Sequence, residues 1–457
     1  MVADDGALHC FKAYDIRGRL PQQLNEKVVW RIGRSYADML RPELVVVGHD
    51  ARLSSPALRG ALVRGLTEGG ADVFDLGLCG TEEVYHGTVY SNADGGIMVT
   101  ASHNPIDFNG LKLIRRGAVP ISGDSGLKDM QKQAEAQMFQ SAVVNGSVQH
   151  KCYRTEYVKK LLTFVDIQRI KPLKVVVNAG NGCAGPVLDQ LETCLPIEMI
   201  KICHQPDGTF PHGIPNPLLS QNRKISCDAV MLHRADLGVA WDGDFDRCFF
   251  FDERGTFIEG YYLVGLLANM LLKKRPPGEK IIHDPRLIWN SIDQIVAAGG
   301  IPIQSKAGHA FIKERMRSEN ALYGGEMSAH HYFRDFYYCD SGMIPFLMIL
   351  ELISATAQPL SMLVQDRIAL YPTSGEINLT VDNATAIIQQ VQKHYRPLAI
   401  SADTTDGLSL DLGSWRFNLR ESNTEPVIRL NVESHGDESL MREKTNELLA
   451  LIKSLTH

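Results

Sequence analysis

Length, composition and charge set broad limits on the class of this protein. The chain has 457 residues, of which 44% are hydrophobic, 22% charged and 7% aromatic, values that are typical of ordered globular proteins with several domains. The 47 Lys and Arg residues against 53 Asp and Glu residues give a net charge of −6, which excludes a general polyanion binder whose affinity depends on excess cations. We therefore expect no nucleic-acid partner.

Apolar segments and cysteines indicate the cellular location of the protein. Residues 260–272 and 343–350 are the most apolar stretches, and both are shorter than the ~18 uninterrupted apolar residues of a membrane span. The first 18 residues lack the apolar core of a secretory signal. The nine cysteines are odd in number and never spaced as C-x-x-C, which favours neither a disulfide framework nor a zinc site. These features predict a cytoplasmic protein without membrane contact.

Three apolar runs, each followed by a helical pattern, stand out in chain order. They predict buried parallel strands over residues 44–49, 174–178 and 280–283. The first run leads into a helix over 56–70, on which Leu58, Leu62 and Leu66 share one face, and then into a strand over 71–76, which completes a βαβ unit. The second and third runs lead into predicted helices over 186–195 and 288–298. The pattern indicates one α/β plan repeated three times.

The C-terminal part follows a different plan. Residues 375–381 alternate like a strand, 383–395 have a helical pattern, and 414–419 with 427–433 predict paired strands before a last helix. We therefore predict an α/β protein with three similar mixed α/β domains and a smaller α+β C-terminal domain. The expected domain limits are 1–148, 149–254, 255–365 and 366–457.

A serine lies in a turn that follows an apolar strand over residues 96–99. The segment Thr100–Pro105 places Ser102 before a closing proline, where its hydroxyl can be presented to a substrate. The same string is also compatible with an ordinary Ser/Asn/Pro turn. A Ser-His-Asp hydrolase is disfavoured, because His103 follows directly and the G-x-S-x-G elbow is missing.

Three carboxylates stand at alternate positions after the predicted strand 237–241. Asp242, Asp244 and Asp246 would repel one another unless a cation binds them, and oxygen ligands suit Mg²⁺ or Ca²⁺. An EF-hand loop matches only in part: Glu253 stands at position twelve, but Arg247 replaces the required glycine. We therefore favour Mg²⁺ on a strand-end loop over a solvated acidic turn.

Two further segments carry groups suited to a phosphorylated sugar. Residues 325–331 combine the carboxylate of Glu326, the hydroxyl of Ser328 and the imidazole of His330, which suit sugar hydroxyls. A helix-capping turn is the alternative, and zinc is disfavoured without an H-E-x-x-H helix or a cysteine cluster. Residues 420–426 combine the guanidinium of Arg420 with three short polar side chains, a composition able to bind a phosphate, although a polar hairpin loop is equally compatible.

These four segments, in this order and at these separations, resemble the four active-site loops of the α-D-phosphohexomutases. The similarity spans essentially all 457 residues and includes residues 11–18, 109–113 and 306–310. It is greatest to the bacterial members that act on mannose phosphates. The resemblance implies that the three α/β domains and the smaller C-terminal domain lie around a central cleft, to which each contributes one loop.

The resemblance also implies roles for individual residues. Ser102 would be the phosphoserine, the three aspartates would hold Mg²⁺ together with a phosphoserine oxygen, and Arg247 would sit beside that phosphate. Glu326 and Ser328 would contact sugar hydroxyls, and His330 would lie near the reacting centre. The implied clamp for the non-transferring phosphate consists of Arg420, Ser422, Asn423 and Thr424. Further candidates for catalysis or substrate binding are Arg17, Lys112, Arg286 and His309.

Two features of the implied site stay open or depart from the family pattern. The base that accepts the proton of the attacking hydroxyl is either Lys112 or His330, since a guanidinium such as that of Arg17 scarcely deprotonates. Phe245 and Ala329 replace glycines that are common in the metal loop and the sugar loop. Neither replacement removes a functional side chain, but both are expected to affect loop shape.

The implied activity is the interconversion of mannose 6-phosphate and mannose 1-phosphate. It would proceed through a phosphoserine and a hexose 1,6-bisphosphate, and it would feed GDP-mannose and polysaccharide synthesis. The expected partner is a phosphosugar, and the expected assembly is a monomer or homodimer. Alternatives are a mutase that also accepts glucose phosphates, because the sugar contacts need not distinguish C2, a metal-dependent sugar phosphatase, and a non-catalytic phosphosugar sensor.

Overall fold

The computed structural model describes residues 7–421 and 427–455, and the chain forms two compact units. The first unit combines the chain up to Phe257 with Asp335–Ala357. The second combines Ile258–Arg334 with the chain from Gln358 onward. Each unit contains most of the strands of two of the four β-sheets described below.

A seven-stranded mixed sheet begins the first unit. Its strands are β1 (Ile16–Arg19), β2 (Leu44–His49), β3 (Asp72–Leu78), β4 (Gly95–Val99), β5 (Phe108–Arg115), β6 (Val119–Pro120) and β7 (Val148–His150). Their order is β1-β5-β4-β2-β3-β7, with β6 beside β5. The strand β2 is parallel to β3 and β4, whereas β5 is antiparallel to β1 and β4. The associated helices are α1 (Glu26–Leu40), α2 (Ser55–Glu68), α3 (Thr81–Tyr90) and α4 (Lys128–Ala136).

The predicted βαβ unit of this sheet is confirmed, and its helix packs as the sequence pattern indicates. Leu58, Leu62 and Leu66 are at most 3% exposed and belong to one apolar core with residues of β2 and β4. The helices α1 and α2 approach closely because both carry glycine at the crossing. A Cβ on Gly65 would lie 2.4 Å from the carbonyl oxygen of Trp30, so only glycine fits there.

A second mixed sheet completes the first unit. Its strands are β8 (Lys174–Asn178), β9 (Glu198–Ile202), β10 (Leu237–Trp241), β11 (Cys248–Phe251) and β12 (Phe257–Ile258), in the order β12-β11-β10-β8-β9. The strand β8 is parallel to β9 and β10, as predicted, and β11 is antiparallel to β10. The helices are α5 (Arg154–Leu162), α6 (Gly185–Glu192) and α7 (Lys224–His233).

A later segment of the chain packs with this first unit. It contains a short strand over Cys339–Asp340 and a helix over Met343–Thr356, which is apolar on nearly all sides and mostly buried. The indole of Trp241 donates to the Gly342 carbonyl at 3.2 Å. Within the described residues, no single helix is long and apolar enough to cross a membrane.

The second unit begins with strands β13 (Lys280–His283), β14 (Ile301–Gln304), β15 (Tyr323–Gly325) and β16 (His331–Phe333), in the order β14-β13-β15-β16. The strand β13 is parallel to β14 and β15, which confirms the third predicted α/β repeat, and β16 is antiparallel to β15. The helices of this part are α8 (Gly260–Leu272), α9 (Trp289–Ala297), α10 (His309–Glu319) and α12 (Leu360–Leu370). The helix Met343–Thr356 of the first unit is numbered α11.

An antiparallel sheet with two helices ends the second unit. The short strand Cys339–Asp340 of the first unit is β17 and is not part of this sheet. The strands of the sheet are β18 (Ile377–Thr380), β19 (Ser401–Asp403), β20 (Leu408–Asp411), β21 (Trp415–Glu421) and β22 (Val427–Ser434), in the order β18-β22-β21-β20-β19. The helices α13 (Ala384–Tyr395) and α14 (Glu438–Leu455) pack on it through Val391 and Leu448. The predicted α+β character of this part is confirmed, and the exact domain limits stay a prediction.

Candidate active site

The loop that follows β4 holds Ser102 in a constrained conformation within the first unit. Ser102 has a φ of +48°, a left-handed backbone that non-glycine residues rarely adopt outside special sites. Its backbone N–H donates to Thr100 Oγ1 at 2.8 Å, and its hydroxyl donates to Asp242 Oδ2 at 2.6 Å. The structure thus joins the predicted serine turn to the predicted acidic segment.

A buried arginine that the sequence patterns do not single out holds this loop. Arg52 is 2% exposed, and its guanidinium donates to four carbonyls at 2.6–3.0 Å, those of Ser102, Asn104, Pro105 and Phe108. The planar fork of a guanidinium can bind several acceptors at once, which an ammonium cannot do with the same geometry. Arg52 therefore fixes the backbone on both sides of the serine.

Three carboxylates, here called the acidic cluster, crowd the loop between β10 and β11. Asp242, Asp244 and Asp246 are each at most 1% exposed, and one oxygen from each lies within 4.8 Å of the others. Asp244 Oδ1 is buried and accepts no hydrogen bond within the described part of the chain. Oxygen donors at this spacing fit a hard divalent cation. These residues can therefore hold the metal ion that the sequence predicts.

Two basic side chains offset the charge of the acidic cluster. Lys112 Nζ donates to Asp244 Oδ2 at 2.7 Å and also to Asp246 Oδ2, and Arg247 Nε donates to Asp242 Oδ2 at 2.9 Å. Burial alone would raise the pKa of Asp244, but Lys112, the Thr81 hydroxyl and Arg17 together hold this pKa well below its usual range. Burial also opposes the charged forms of Lys112 and Arg247, yet the carboxylates raise both pKa values. Lys112 is therefore protonated beside the free acidic cluster.

Arg17 lies at the edge of the same cluster. Its NH1 donates to the Thr100 carbonyl at 2.5 Å, and its Nε donates to Asp15 Oδ2 at 3.0 Å. Burial would lower the pKa of Arg17, but Asp15 and then Asp244 raise it above its usual range. The first unit thus brings together its predicted site residues, namely Arg17, Ser102, Lys112, Asp242, Asp244, Asp246 and Arg247.

Arg286 is the centre of a second charged cluster, which lies in the second unit. Its NH2 lies 2.9 Å from Asp284 Oδ2, 3.4 Å from Glu326 Oε1 and 3.2 Å from Ser328 Oγ. Its NH1 lies 3.3 Å from Glu376 Oε2. Burial opposes the charged guanidinium, but these carboxylates, Asp284 first, raise the pKa of Arg286. Arg286 therefore connects the predicted sugar-binding residues to Glu376.

Two more arginines converge on Glu376, and with Arg286 they form what we call the arginine cluster. Arg420 NH2 lies 3.5 Å from Glu376 Oε2, and Arg429 NH1 lies 3.7 Å from Glu376 Oε1. Burial and then the charge of Arg286 lower the pKa of Arg420. Burial would raise the pKa of Glu376, but the three guanidiniums lower it. Three guanidiniums around one carboxylate are suited to a bidentate anion such as phosphate.

The remaining predicted residues of the second unit lie near this cluster. Both oxygens of Glu326 have protein donors, the Gly308 N–H at 3.0 Å and the Tyr332 hydroxyl at 2.5 Å. The rings of His309 and His330 have centroids 6.4 Å apart, and both residues are half-buried. The neighbouring His331 is fully buried, which lowers its pKa to about 3 and keeps it neutral.

Two loop residues that stand where related loops commonly carry glycine keep a glycine-type backbone. Phe245 has a φ of +49° in the metal loop, and Ala329 has a φ of +70° in the sugar loop. Both are buried, at 0% and 2% exposure, so packing stabilises a conformation that glycine adopts more readily. The effect of these two replacements on loop shape stays a prediction.

Part of the predicted phosphate clamp lies outside the described residues, and the site also contains residues that no motif indicated. Ser422, Asn423 and Thr424 lie outside the described residues, and Arg420 stands within β21 rather than between strands. The residues that sequence patterns missed include Arg52, Thr81, Glu376 and Arg429. Each acts on a partner far away in sequence, so a local pattern carries no signal for it.

Family models match successive parts of the chain. The models described as phosphoglucomutase/phosphomannomutase alpha/beta/alpha domain I, II and III match residues 9–141, 155–255 and 259–371. The model of the C-terminal domain of the same family matches residues 376–450. The predicted fold of three α/β domains and a distinct C-terminal domain is therefore confirmed.

Individual relatives agree over nearly the whole chain. A phosphomannomutase from Salmonella montevideo is 57% identical, over 98% of this chain and 99% of its own. A protein of Xanthomonas campestris pv. campestris (strain B100) named phosphohexose mutases is 55% identical, with coverage of 98% and 99%. The crystal structure of a phosphoglucomutase/phosphomannomutase family protein from Burkholderia thailandensis is 30% identical, with a TM-score of 0.87 and coverage of 98% of both chains.

Proposed function

The chain belongs to the phosphoglucomutase/phosphomannomutase family, and we propose that it interconverts mannose 6-phosphate and mannose 1-phosphate. The observation that carries this proposal is the Ser102 hydroxyl, which lies 2.6 Å from Asp242 Oδ2 beside three buried carboxylates. A serine in this place can carry a phosphoryl group next to a bound cation. The substrate is taken from the relatives, of which the phosphomannomutase of Salmonella montevideo is 57% identical.

The residues of the first unit balance charge around the transferring phosphoryl group. Phosphorylated Ser102 would carry close to two negative charges at neutral pH, and a phosphosugar brings a similar charge. We assign Asp242, Asp244 and Asp246 to Mg²⁺, which when bound supplies positive charge to the phosphoryl oxygens. Arg247, whose charge the acidic cluster stabilises, lies on the serine side of the cluster and offsets the remaining repulsion.

The chemistry consists of two phosphoryl transfers. In the first, a sugar hydroxyl oxygen bonds to phosphorus, the bond between phosphorus and Ser102 Oγ breaks, and a base takes the hydroxyl proton. The candidates for that base are His330 and Lys112, of which Lys112 must first lose the proton that it holds beside the free acidic cluster. The product is a hexose 1,6-bisphosphate. In the second transfer, Ser102 Oγ bonds to the other phosphate, the sugar–oxygen bond to phosphorus breaks, and the proton returns to the sugar oxygen.

The second unit supplies the contacts for the part of the sugar that does not react. We propose that Arg286 and Arg420 bind the non-transferring phosphate, together with Ser422, Asn423 and Thr424. Glu326, Ser328, His309 and His330 would contact the sugar. Because the bisphosphate must bind in two orientations, contacts to phosphate and hydroxyl groups suit the reaction better than contacts to one end. We place this activity in the cytoplasm, in a monomer or homodimer.

A mutase that accepts both mannose and glucose phosphates is the second candidate. It is supported by the relative from Xanthomonas campestris named phosphohexose mutases, which is 55% identical. The two sugars differ at C2, and both oxygens of Glu326 already accept protein hydrogen bonds. A site that does not bind the C2 hydroxyl through a dedicated group discriminates little between them.

Phosphorus NMR separates these candidates. Mannose 1-phosphate and glucose 1-phosphate are each incubated with enzyme, Mg²⁺ and a trace of the sugar 1,6-bisphosphate, and the rates of 6-phosphate formation are compared. Faster conversion of the mannose compound supports the first proposal, and similar rates support dual specificity. Release of inorganic phosphate would identify a phosphatase, and no reaction would identify a sensor. The Ser102→Ala variant must be inactive, and full activity in that variant would refute the phosphoserine role.

A further inference from the structure

The first turn of α3 is joined to the metal loop by contacts that no sequence motif indicated. The Thr81 backbone N–H donates to the carbonyl oxygen of Asp244 at 3.1 Å, and the Thr81 hydroxyl donates to Asp244 Oδ2 at 2.6 Å. Thr81 is 0% exposed. One residue of a helix start therefore binds both the backbone and the side chain of a metal-loop aspartate.

Packing keeps the helix start and the loop at a fixed distance. The buried Phe245 ring covers Gly80, where an added Cβ would lie 1.9 Å from ring atom Cε1. Phe245 itself has the left-handed φ of +49°. The Phe245 ring of the loop therefore packs directly against the backbone of Gly80 at the helix start. This contact leaves the Thr81 hydroxyl little freedom to move away from Asp244.

The two oxygens of Asp244 have different surroundings. Oδ2 accepts hydrogen bonds from the Thr81 hydroxyl and from Lys112 Nζ at 2.7 Å, and the same Lys112 Nζ lies 3.4 Å from Thr81 Oγ1. Oδ1 is buried and accepts no hydrogen bond within the described residues. The terminal torsion of an aspartate is broad, so the carboxylate needs such partners to stay in one orientation.

We propose that Thr81 is a positioning residue for the metal ion: its hydroxyl binds Asp244 Oδ2 and so reserves Oδ1 for the cation. The inference rests on the proposed role of the acidic cluster as a metal site. Hydrogen bonds to the distal atoms of metal ligands are typically responsible for a 10–100-fold change in metal affinity. Thr81 never touches substrate in this role, and it acts through Asp244.

The test is a measurement of Mn²⁺ binding to the full chain, with free Mn²⁺ followed by electron paramagnetic resonance. Thr81→Val removes the hydroxyl at constant shape, and we expect its Kd for Mn²⁺ to rise about tenfold. Thr81→Ser keeps the hydroxyl, and its Kd is expected within about threefold of the wild-type value. Turnover should follow, with a higher Mg²⁺ concentration needed for half-maximal rate and a nearly unchanged rate at saturating Mg²⁺.

Thr88→Val is the matched control, because Thr88 is also fully buried in α3 and its hydroxyl donates to the Val84 carbonyl within the helix. It is expected to lower the melting temperature and to leave the Kd for Mn²⁺ unchanged. An unchanged Kd in Thr81→Val, an equal rise in Thr81→Ser, or an equal rise in Thr88→Val would each overturn the proposal. If Thr81→Val does not fold, Thr81→Ala takes its place with the same expected rise. Absence of Mn²⁺ binding in the wild-type chain would refute the metal site itself, whereas turnover on another sugar would refute only the proposed substrate.

Discussion

The acidic cluster of the first unit and the arginine cluster of the second both contain close ion pairs, yet different atoms in them lack a hydrogen bond within the described residues. In the acidic cluster, Lys112 binds Asp244 Oδ2, whereas Asp244 Oδ1 accepts no hydrogen bond among the described residues. In the arginine cluster, Arg420 NH2 lies 3.5 Å from Glu376, whereas Arg420 Nε makes no hydrogen bond in that part of the chain and has only a 4.0 Å ion pair with Asp406 Oδ2. One cluster thus has a buried acceptor without a hydrogen bond, and the other has a buried donor without one.

The comparison shows that the atom without a hydrogen bond, rather than the sum of charges, indicates the ligand. A buried acceptor without a donor favours a cation, and a buried donor without an acceptor favours an anion. The ion pairs around each such atom hold it in place before the ligand arrives, which lowers the cost of binding. The four predictions below test this difference, beginning with the change of largest effect.

The first prediction removes one charge from the acidic cluster. Asp244→Asn keeps the shape of the side chain but leaves Lys112 without one of its two buried carboxylates. Loss of one partner from a buried ion pair lowers the free energy of unfolding by about 3–5 kcal/mol, and loss of a proposed metal ligand is expected to lower kcat/KM by at least ~100-fold. Steady-state kinetics over a range of Mg²⁺ concentrations measure this. Asp236→Asn, at an exposed acid of the same sheet, is the control, and equal losses in both variants would contradict the prediction.

The second prediction concerns the buried donor of the arginine cluster. Arg420→Lys keeps the positive charge but removes Nε and the planar fork, so bidentate phosphate binding is lost. We expect KM for mannose 1-phosphate to rise about tenfold with a smaller change in kcat, which initial-rate kinetics measure. Arg442→Lys changes an exposed arginine on α14 in the same way and should leave KM unchanged. An unaltered KM in Arg420→Lys would show that the cluster does not bind the substrate phosphate.

The third prediction tests whether a carboxylate has opposite effects in the two clusters. Glu376→Gln removes the negative charge that three guanidiniums share. We expect inorganic phosphate to bind about threefold more tightly, because the protein carboxylate no longer competes with it for these arginines. The melting temperature of the free protein should fall at the same time. Calorimetric titration with phosphate measures the affinity. Weaker binding than in the wild-type protein would show that the Glu376 carboxylate does not compete with phosphate for the arginines. Glu438→Gln, at an exposed carboxylate, is the control.

The elements that sequence patterns predicted well are those whose signal is local. The strands Lys174–Asn178 and Leu237–Trp241 have the predicted bounds, because a strand buried on both faces is a short, uninterrupted apolar run. The helix predicted over 186–195 ends at Glu192 instead. The Cys194 N–H bonds to the Leu191 carbonyl, so the chain turns before the apolar pattern ends.

The same distinction applies to the candidate site. The serine turn and the alternate aspartates are local patterns, and the structure places Ser102 against Asp242. The groups that hold them are distant in sequence: Arg52 lies 50 residues from Ser102, and Thr81 lies 163 residues from Asp244. Such contacts depend on which strands become neighbours in the sheet, and a sequence pattern does not contain that information.

The fourth prediction has the smallest effect on turnover and concerns a buried carboxylate that forms no ion pair among residues 7–421 and 427–455. Glu82, the residue after Thr81, accepts hydrogen bonds from the Tyr157 hydroxyl at 2.7 Å and from the Gly342 N–H at 2.8 Å. Burial raises the pKa of Glu82 to about 8 despite these hydrogen bonds, whereas Lys112 holds the pKa of the equally buried Asp244 low. A nearby cation, rather than burial, therefore decides which of the two carboxyls is ionised.

The sign of the resulting pH dependence follows from that raised pKa. Below the ordinary glutamate pKa of about 4.5, Glu82 is protonated in both states and its contribution to stability is complete. As pH rises toward 8, the unfolded state loses its proton first, so the wild-type protein loses up to ~1.4 kcal/mol per pH unit. Glu82→Gln cannot ionise, yet its carbonyl can still accept from Gly342 and its amide can donate to Tyr157. Between pH 5 and 9, the melting temperature of the variant should therefore increase relative to that of the wild-type protein as pH rises. A constant difference would mean that Glu82 is ionised throughout, and that burial without a cation does not keep this carboxyl neutral.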